Sequence, residues 1–517
     1  MPDALADPQV PLIQPDDVFN QQLIANVHPP GWKNPHPADR YNLVVVGAGT
    51  AGLVTAAVAA GLGARVALVE KHLMGGDCLN VGCVPSKGII RAARAWSAVG
   101  TSDEFGISVR ESERDFGAVM ERMRRLRATL SRVDSVQRFT DLGVDVFVGQ
   151  GHFTGKDAIQ VGDQTLRFRR AAICTGARAA APPIAGLEET GYLTNETVFS
   201  LTECPRRLAV IGAGPIGCEL SQAFARFGST VTLIERADHI LPREDPDAAA
   251  IVQSQMERDG ISFAFGATIT SVEQRGVEKV IHYTHDGEAT EVVVDQVLVG
   301  VGRAPNVEGL GLLEAGVTCD KGGVTVSGTL RTSNPKIFAA GDICFPFKFT
   351  HTADAMAQIV IQNALFPHPL GLGQTTTDSL IIPWCTYTEP EIAHVGLYES
   401  EASARGIEVE TFTQTLDEVD RAVLDGEQEG FARVHVEKGT DTIVGATIVA
   451  GNAGNMISEV TLAMKTRAGL SAIGSTIHPY PTQAEALRKV ANLMRKARFS
   501  SRQQSILKRW FRWTLTS

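Results

Sequence analysis

A strand that runs into Gly-x-Gly-x-x-Gly and then a helix occurs twice in this chain, and the repetition constrains the fold more than any other feature. The first copy is the apolar run 41–46, followed by Gly47-Ala48-Gly49-Thr50-Ala51-Gly52, an alanine-rich helix and a strand over 65–70. The second is the run 208–211, followed by Gly212-Ala213-Gly214-Pro215-Ile216-Gly217, a helix and a strand over 230–235. Both copies end in a glutamate, Glu70 and Glu235, each 23 positions after the first glycine. One such glycine run is a weak signal; two in the same context with the same acidic spacing are a strong one. The glycines let the backbone approach a pyrophosphate, the helix N-terminus stabilises its charge, and the carboxylate accepts from ribose hydroxyls. The spacing therefore predicts two dinucleotide-binding domains built on parallel sheets.

The 517 residues allow three or four domains. Residues 1–40 hold eight prolines and no clear periodicity, and read as an extended arm that packs on the body or stays mobile. Residues 114–132 carry apolar side chains at helical spacing, and short strands follow from 143 to 173. From about residue 382 the pattern changes to alternating strands with a helix near 457–466, an α+β domain. The expected fold is α/β, with two Rossmann-like dinucleotide-binding domains and a C-terminal α+β dimerisation domain. The expected boundaries are an arm at 1–40, a first domain at 41–185 resumed at 313–380, a second at 186–312, an interface domain at 381–497 and a basic tail at 498–517.

A net charge of −10 argues against a general nucleic-acid binder. No apolar run approaches the length of a membrane span, and the start lacks the basic and apolar regions of a signal peptide, so a cytoplasmic chain is expected. Of the eight cysteines only Cys78 and Cys83 are closely spaced, which suits a reducing compartment and one redox-active pair. Cys174, Cys218 and Cys344 lie in apolar context and read as buried small hydrophobes, while Cys204, Cys319 and Cys385 have no partner in the sequence.

The layout resembles the FAD-dependent pyridine nucleotide-disulfide oxidoreductases over about residues 41–490. Gly47, Gly49, Gly52 and Glu70 resemble the FAD loop of that family. Gly212, Gly214, Gly217 and Glu235 resemble its NAD(P) loop. Thr175-Gly176 resembles the hinge between the two domains, and Gly300-Val301-Gly302-Arg303-Ala304-Pro305-Asn306 the return crossing. Gly341-Asp342 resembles the second FAD motif, whose aspartate binds the ribitol chain. The resemblance implies that Cys83 faces the flavin and forms the thiolate beside it, and that Cys78 is the interchange thiol. It also implies that Lys87 stands near the flavin with Glu219 as its carboxylate partner. Glu235 favours NADH over NADPH, and Arg236 directly after it softens the preference.

The C-terminal active-site segment departs from most of the family. Disulfide reductases carry His-Pro-Thr-x-x-Glu, contributed by the partner subunit, with the histidine as base and the glutamate orienting it. Here the run is Ile477-His478-Pro479-Tyr480-Pro481-Thr482-Gln483-Ala484-Glu485, which aligns Tyr480 with the base and Glu485 with the carboxylate. Tyrosine at that position resembles mercuric reductases, and a phenol is a poor proton shuttle at neutral pH. The mercuric-reductase vicinal cysteine pair at the C-terminus and the N-terminal metal-carrier cysteines have no counterpart here. The resemblance thus implies a homodimer passing electrons from NADH or NADPH through FAD and Cys78–Cys83 to an acceptor. A metal ion held transiently by the two sulfurs is the expected acceptor, with no resident metal. Dihydrolipoamide dehydrogenase or another disulfide reductase using His478 is the alternative. Residues 498–512 are basic and amphipathic if helical, which suits an anionic membrane surface or docking on the dimer.

Overall fold

A computed structural model describes residues 11–515 and divides into two compact units, 1–238 with 260–380, and 239–259 with 381–517. In the first unit the strands β1 (Tyr41–Val46) and β2 (Val66–Glu70) flank the helix α2 (Thr50–Gly61). They pair in parallel, Val44 opposite Ala67. The sheet continues in parallel to Val144–Val148 beyond β2 and, beyond β1, to Gln164–Ile173 and then Ile337–Ala339. β1, β2 and Ile337–Ala339 are almost continuously apolar because both sheet faces are covered. Leu43, Val45 and Leu68 are fully buried on one face and Val44, Ala67 and Phe168 on the other.

The second glycine copy builds a separate parallel sheet in the order Ser262–Ala264, Thr230–Ile234, Arg207–Ile211, Gln296–Val299. A three-stranded antiparallel sheet, Thr268–Arg275, Glu278–His285 and Glu288–Val294, accompanies it. The chain leaves the first domain at Ala177–Ala179 and returns at Arg303–Pro305, and these two short strands pair antiparallel. Thr175 Oγ1 donates to the Asn306 carbonyl and Asn306 Nδ2 donates to the Thr175 carbonyl, both at 2.9 Å, so the outgoing and returning chains are tied together.

The second unit is a five-stranded antiparallel sheet in the order Pro383–Thr386, Glu391–Gly396, Ile443–Ala450, Phe431–Glu437, Val409–Thr415. Helices Ala453–Thr466 and Glu485–Ala497 contribute Val460, Leu487 and Val490 to its core. The segment His239–Asp259 is grouped with this unit rather than with the nucleotide sheet that flanks it in sequence. Trp384 Nε1 and Tyr398 Oη both donate to the buried Glu244, at 2.8 and 2.5 Å, and Arg433 pairs with Asp245 at 3.3 Å.

The expectation of a merely extended arm over residues 1–40 is corrected by the helix α1 (Val18–Val27). Asp17 caps it, accepting from the backbone N–H groups of Phe19 and Asn20 at 3.1 and 2.8 Å, and Leu23 and Val27 enter the main core. The prolines masked this helix because they flank it. After α1, Asn34 exchanges hydrogen bonds with Val148 at 2.8 and 3.0 Å, covering the sheet edge that Val144–Val148 would otherwise expose. Residues 1–10 lie outside the described part. Leu23→Ala is expected to remove about 2–4 kcal/mol by leaving a cavity, whereas the exposed Val18→Ala changes little. Thermal unfolding of the two variants measures the difference.

Candidate active site

Both glycine loops are closed by contact between backbones. A Cβ at Gly52 would collide with the Gly47 carbonyl oxygen, and a Cβ at Gly217 with that of Gly212. Gly47 and Gly212 adopt φ of 101° and 99°, which other residues rarely reach. Gly49 and Gly214 are the N-cap residues of their helices and supply no side-chain cap, so the first-turn N–H groups are left for a ligand. Glu70 accepts from Ala48 N–H at 2.7 Å and His72 N–H at 2.8 Å; Glu235 accepts from Ala213 N–H at 2.6 Å and Ala237 N–H at 2.9 Å. Burial pushes the Glu70 carboxyl up, and its backbone donors oppose that shift. Each carboxylate keeps lone pairs that can accept from a ribose hydroxyl. Either loop can therefore hold a dinucleotide pyrophosphate.

The cysteine segment is packed directly on the first loop. Gly75 N–H donates to the Ala48 carbonyl at 2.8 Å, and a Cβ at Gly76 would stand 2.6 Å from Gly49 Cα. Cys78 lies in the short helix α3 (Gly76–Asn80), and Cys83 opens the long helix α4 (Cys83–Gly100). Both carry free thiols; Cys83 is exposed and Cys78 is half-buried. The hydrogen bond from the Cys78 thiol, with Thr350 and the Lys87 ammonium, brings Cys83 down to about 6 against the cost of the sulfur's partial desolvation. The same bond, together with burial, pushes Cys78 far up. Two adjacent thiols cannot both ionise, so Cys78 keeps its proton and Cys83 is a thiolate at neutral pH. Thr350 Oγ1 lies 3.4 Å from Cys83 Sγ. One helical turn along α4, Lys87 Nζ donates to Glu219 Oε2 at 2.8 Å, and Glu219 is buried on the helix that follows the second glycine loop.

A profile described as pyridine nucleotide-disulphide oxidoreductase matches residues 41–358, and the dimerisation domain of the same family matches 382–491. The chain belongs to the pyridine nucleotide-disulphide oxidoreductases. It is 34% identical over 481 residues to a mercuric reductase of Staphylococcus aureus, a match covering 91% of this chain and 87% of the relative. It is 32% identical to a dihydrolipoyl dehydrogenase of Bacillus subtilis (strain 168), covering 88% and 98%. Among solved structures, the HOCl-induced flavoprotein disulfide reductase RclA of Escherichia coli superimposes with a TM-score of 0.78 at 27% identity, over 88% of this chain and 100% of RclA. RclA has also been solved as a Cu(II) complex, with a TM-score of 0.77 and 27% identity over 86% of this chain and 98% of that one. As a member of this family the chain is an FAD- and NAD(P)H-dependent oxidoreductase with a redox-active disulfide, and it forms a homodimer.

The structure joins other residues of this oxidoreductase that the sequence left separate. Arg303, on the returning strand, pairs with Asp77 beside Cys78 and lies 3.3 Å from Asp342. Burial pushes the Asp342 carboxyl up, against the pull of Arg303 and Lys348. Gly341 and Gly302 take φ of 84° and 130° in the two turns that bring Asp342 and Arg303 there, and Gly176, φ 66°, turns the outgoing chain. Neither Asp77 nor Thr350 carries a sequence signal of its own; their roles come from neighbours more than two hundred residues away.

In the second unit Tyr480 is exposed, and its hydroxyl donates to Asp420 Oδ2 at 2.7 Å. That bond pushes the phenol above its ordinary value. His478 Nε2 sits 3.1 and 3.2 Å from the two Glu459 oxygens, and Nδ1 is 3.1 Å from the Thr476 carbonyl. Glu485 is buried, pairs with Arg488 and adds to the upward push on the Tyr480 phenol. The carboxylate on His478 is thus Glu459, which reaches it from the neighbouring helix. Among the described residues no cluster of three or more His, Cys, Asp or Glu side chains is arranged to hold a metal ion.

Alkylation of the reduced enzyme by iodoacetamide is expected to rise with pH around a midpoint of about 6, set by Cys83. In Cys78→Ala the midpoint moves up toward the ~8.5 of an ordinary cysteine, because the principal hydrogen bond to the thiolate is lost. Mass-spectrometric quantitation of the Cys83 peptide against pH measures both.

Proposed function

We propose that this enzyme is a mercuric-reductase-like metal-ion reductase, in which Cys78 and Cys83 hold a soft divalent metal ion as substrate. The observation that carries the proposal is the fixed state of the proton-handling groups: Tyr480 is held as a donor to Asp420, and both ring nitrogens of His478 already face acceptors. Breaking a disulfide substrate requires a proton for each departing sulfur; reducing a thiolate-bound metal ion does not. The Cu(II) complex of RclA supports the reading, since a relative of the same fold takes up a transition-metal ion.

In this proposal Gly47, Gly49, Gly52 and Glu70 would hold the FAD pyrophosphate and ribose, Asp342 and Gly341 would meet its ribitol chain, and Thr175-Gly176 form the hinge between the two nucleotide domains. Gly212, Gly214, Gly217 and Gly302 form the NAD(P)H site, where Glu235 favours NADH by accepting from the ribose 2′-OH. FAD supplies a two-electron relay between the nicotinamide and the sulfurs. Cys83 offers the thiolate that first binds the metal ion, a soft ligand suited to it. Cys78 then binds as the second thiolate and releases its proton to solvent. Two electrons reduce the metal ion to the element, which departs and leaves both sulfurs in place; NAD(P)H gives up the electron pair and one proton. Lys87, anchored by Glu219, keeps positive charge beside the Cys83 thiolate. The dimerisation domain supports a mouth completed by Tyr480, His478 and Glu485 from the second subunit.

A second reading rests on the His478–Glu459 pair, which has the form of a base oriented by a carboxylate. In that reading the acceptor is lipoamide or another small disulfide. The proposal also places the enzyme in a reducing, cytoplasmic compartment, with peripheral membrane contact through residues 498–517.

Steady-state NAD(P)H oxidation separates the readings. Metal-ion reduction predicts turnover with Hg(II) that falls at least ~100-fold in Cys78→Ala and changes less than about threefold in His478→Ala. Turnover of lipoamide that is lost in His478→Ala, with no Hg(II)-dependent rate, overturns it in favour of the second reading.

A further inference from the structure

We infer that the C-terminal helix Ser501–Thr514 is a docking element for anionic lipid headgroups; this deepens the membrane contact proposed above and rests on it. Ser500 and Gln503 form a capping box: Ser500 Oγ accepts from Gln503 N–H at 3.2 Å, and Gln503 Oε1 accepts from Ser500 N–H at 2.8 Å. No side chain of the helix is buried. Ile506, Leu507, Trp510, Phe511 and Trp513 share one face at helical spacing and are each 40–59% exposed. Arg502, Lys508, Arg509 and Arg512 fall on the opposite arc.

A single helix of this length is marginal in water, so five exposed large apolar side chains call for an apolar phase beside them. Charge identifies that phase. From residue 486 to 517 there are nine Lys/Arg and no Asp/Glu in a chain of net charge −10. Two such helices joined by their apolar arcs would leave both basic arcs without counter-charge, whereas an anionic bilayer takes up the apolar arc and attracts the basic one. Trp510 and Trp513, with ring centroids 5.1 Å apart, are the side chains that favour the headgroup boundary. The helix lies beyond residue 491, where the match to the family's dimerisation domain ends. Among the described residues no helix is long and apolar enough to cross a membrane, so this one lies in the surface.

The test is co-sedimentation of the FAD-loaded full chain with phosphatidylcholine vesicles, with and without ~30 mol% phosphatidylglycerol. Binding to the anionic vesicles is expected, weakened about tenfold or more by about 0.5 M salt. The Trp510→Ala/Trp513→Ala variant should bind about tenfold less, with unchanged NAD(P)H oxidation. Equal binding to both vesicle types overturns the anionic assignment while membrane contact stands. No binding to either overturns both. Loss of the dimer in gel filtration on deleting residues 501–514 overturns the assignment in favour of a second copy of the chain. The metal-ion reading is unaffected by any of these outcomes, since it is read from turnover.

Discussion

No side chain fits between the first and third glycines of either nucleotide loop, and much of the site is built outward from that constraint. The Gly52 and Gly217 positions press against the carbonyl oxygens of Gly47 and Gly212, so strand and helix meet with bare backbone between them. The first loop then carries the cysteine segment, because Gly76 packs on Gly49 and Gly75 donates to Ala48. The segment that carries Cys78 and Cys83 is therefore fixed to the first glycine loop by backbone contacts, which have none of the rotamer freedom of side chains.

On this base the two sulfurs are made unequal. Cys83 takes the helix N-terminus, the hydrogen bond from Cys78, the Thr350 hydroxyl and the neighbouring Lys87; Cys78 takes the proton. Glu219 holds Lys87 from the helix of the second loop, so an ion pair joins the two glycine-loop domains one helical turn from Cys83. Arg303 plays a similar part on the other side, joining Asp77 of the cysteine helix to Asp342. Charge placement near the sulfurs thus draws on the helix of the second loop and on the returning strand.

How much was legible in the sequence follows from where the constraint lies. The glycine loops, the acidic residues that end their strands and the cysteine pair could be read directly, because each is a local pattern that backbone geometry or sulfur chemistry demands. The Lys87–Glu219 contact was expected only through family resemblance, as the two residues stand 132 positions apart. The helix Val18–Val27 was hidden by flanking prolines, although Asp17 is an ordinary N-cap. Asp420 and Glu459 went unnoticed because surface carboxylates are common, and nothing local marks the two that meet Tyr480 and His478. Glu485 is read from its offset from Pro481-Thr482, and nothing in that offset shows that it is buried against Arg488.

The cysteine segment is built firmly onto the first glycine loop, whereas Tyr480 and His478 are already engaged with Asp420 and Glu459. On this reading the sulfur pair is a second two-electron store in line with the nicotinamide. Anaerobic reductive titration tests this most directly. The wild-type enzyme should take up about two two-electron equivalents per subunit before full reduction, and Cys83→Ala about one. Equal uptake by the two proteins would contradict the claim.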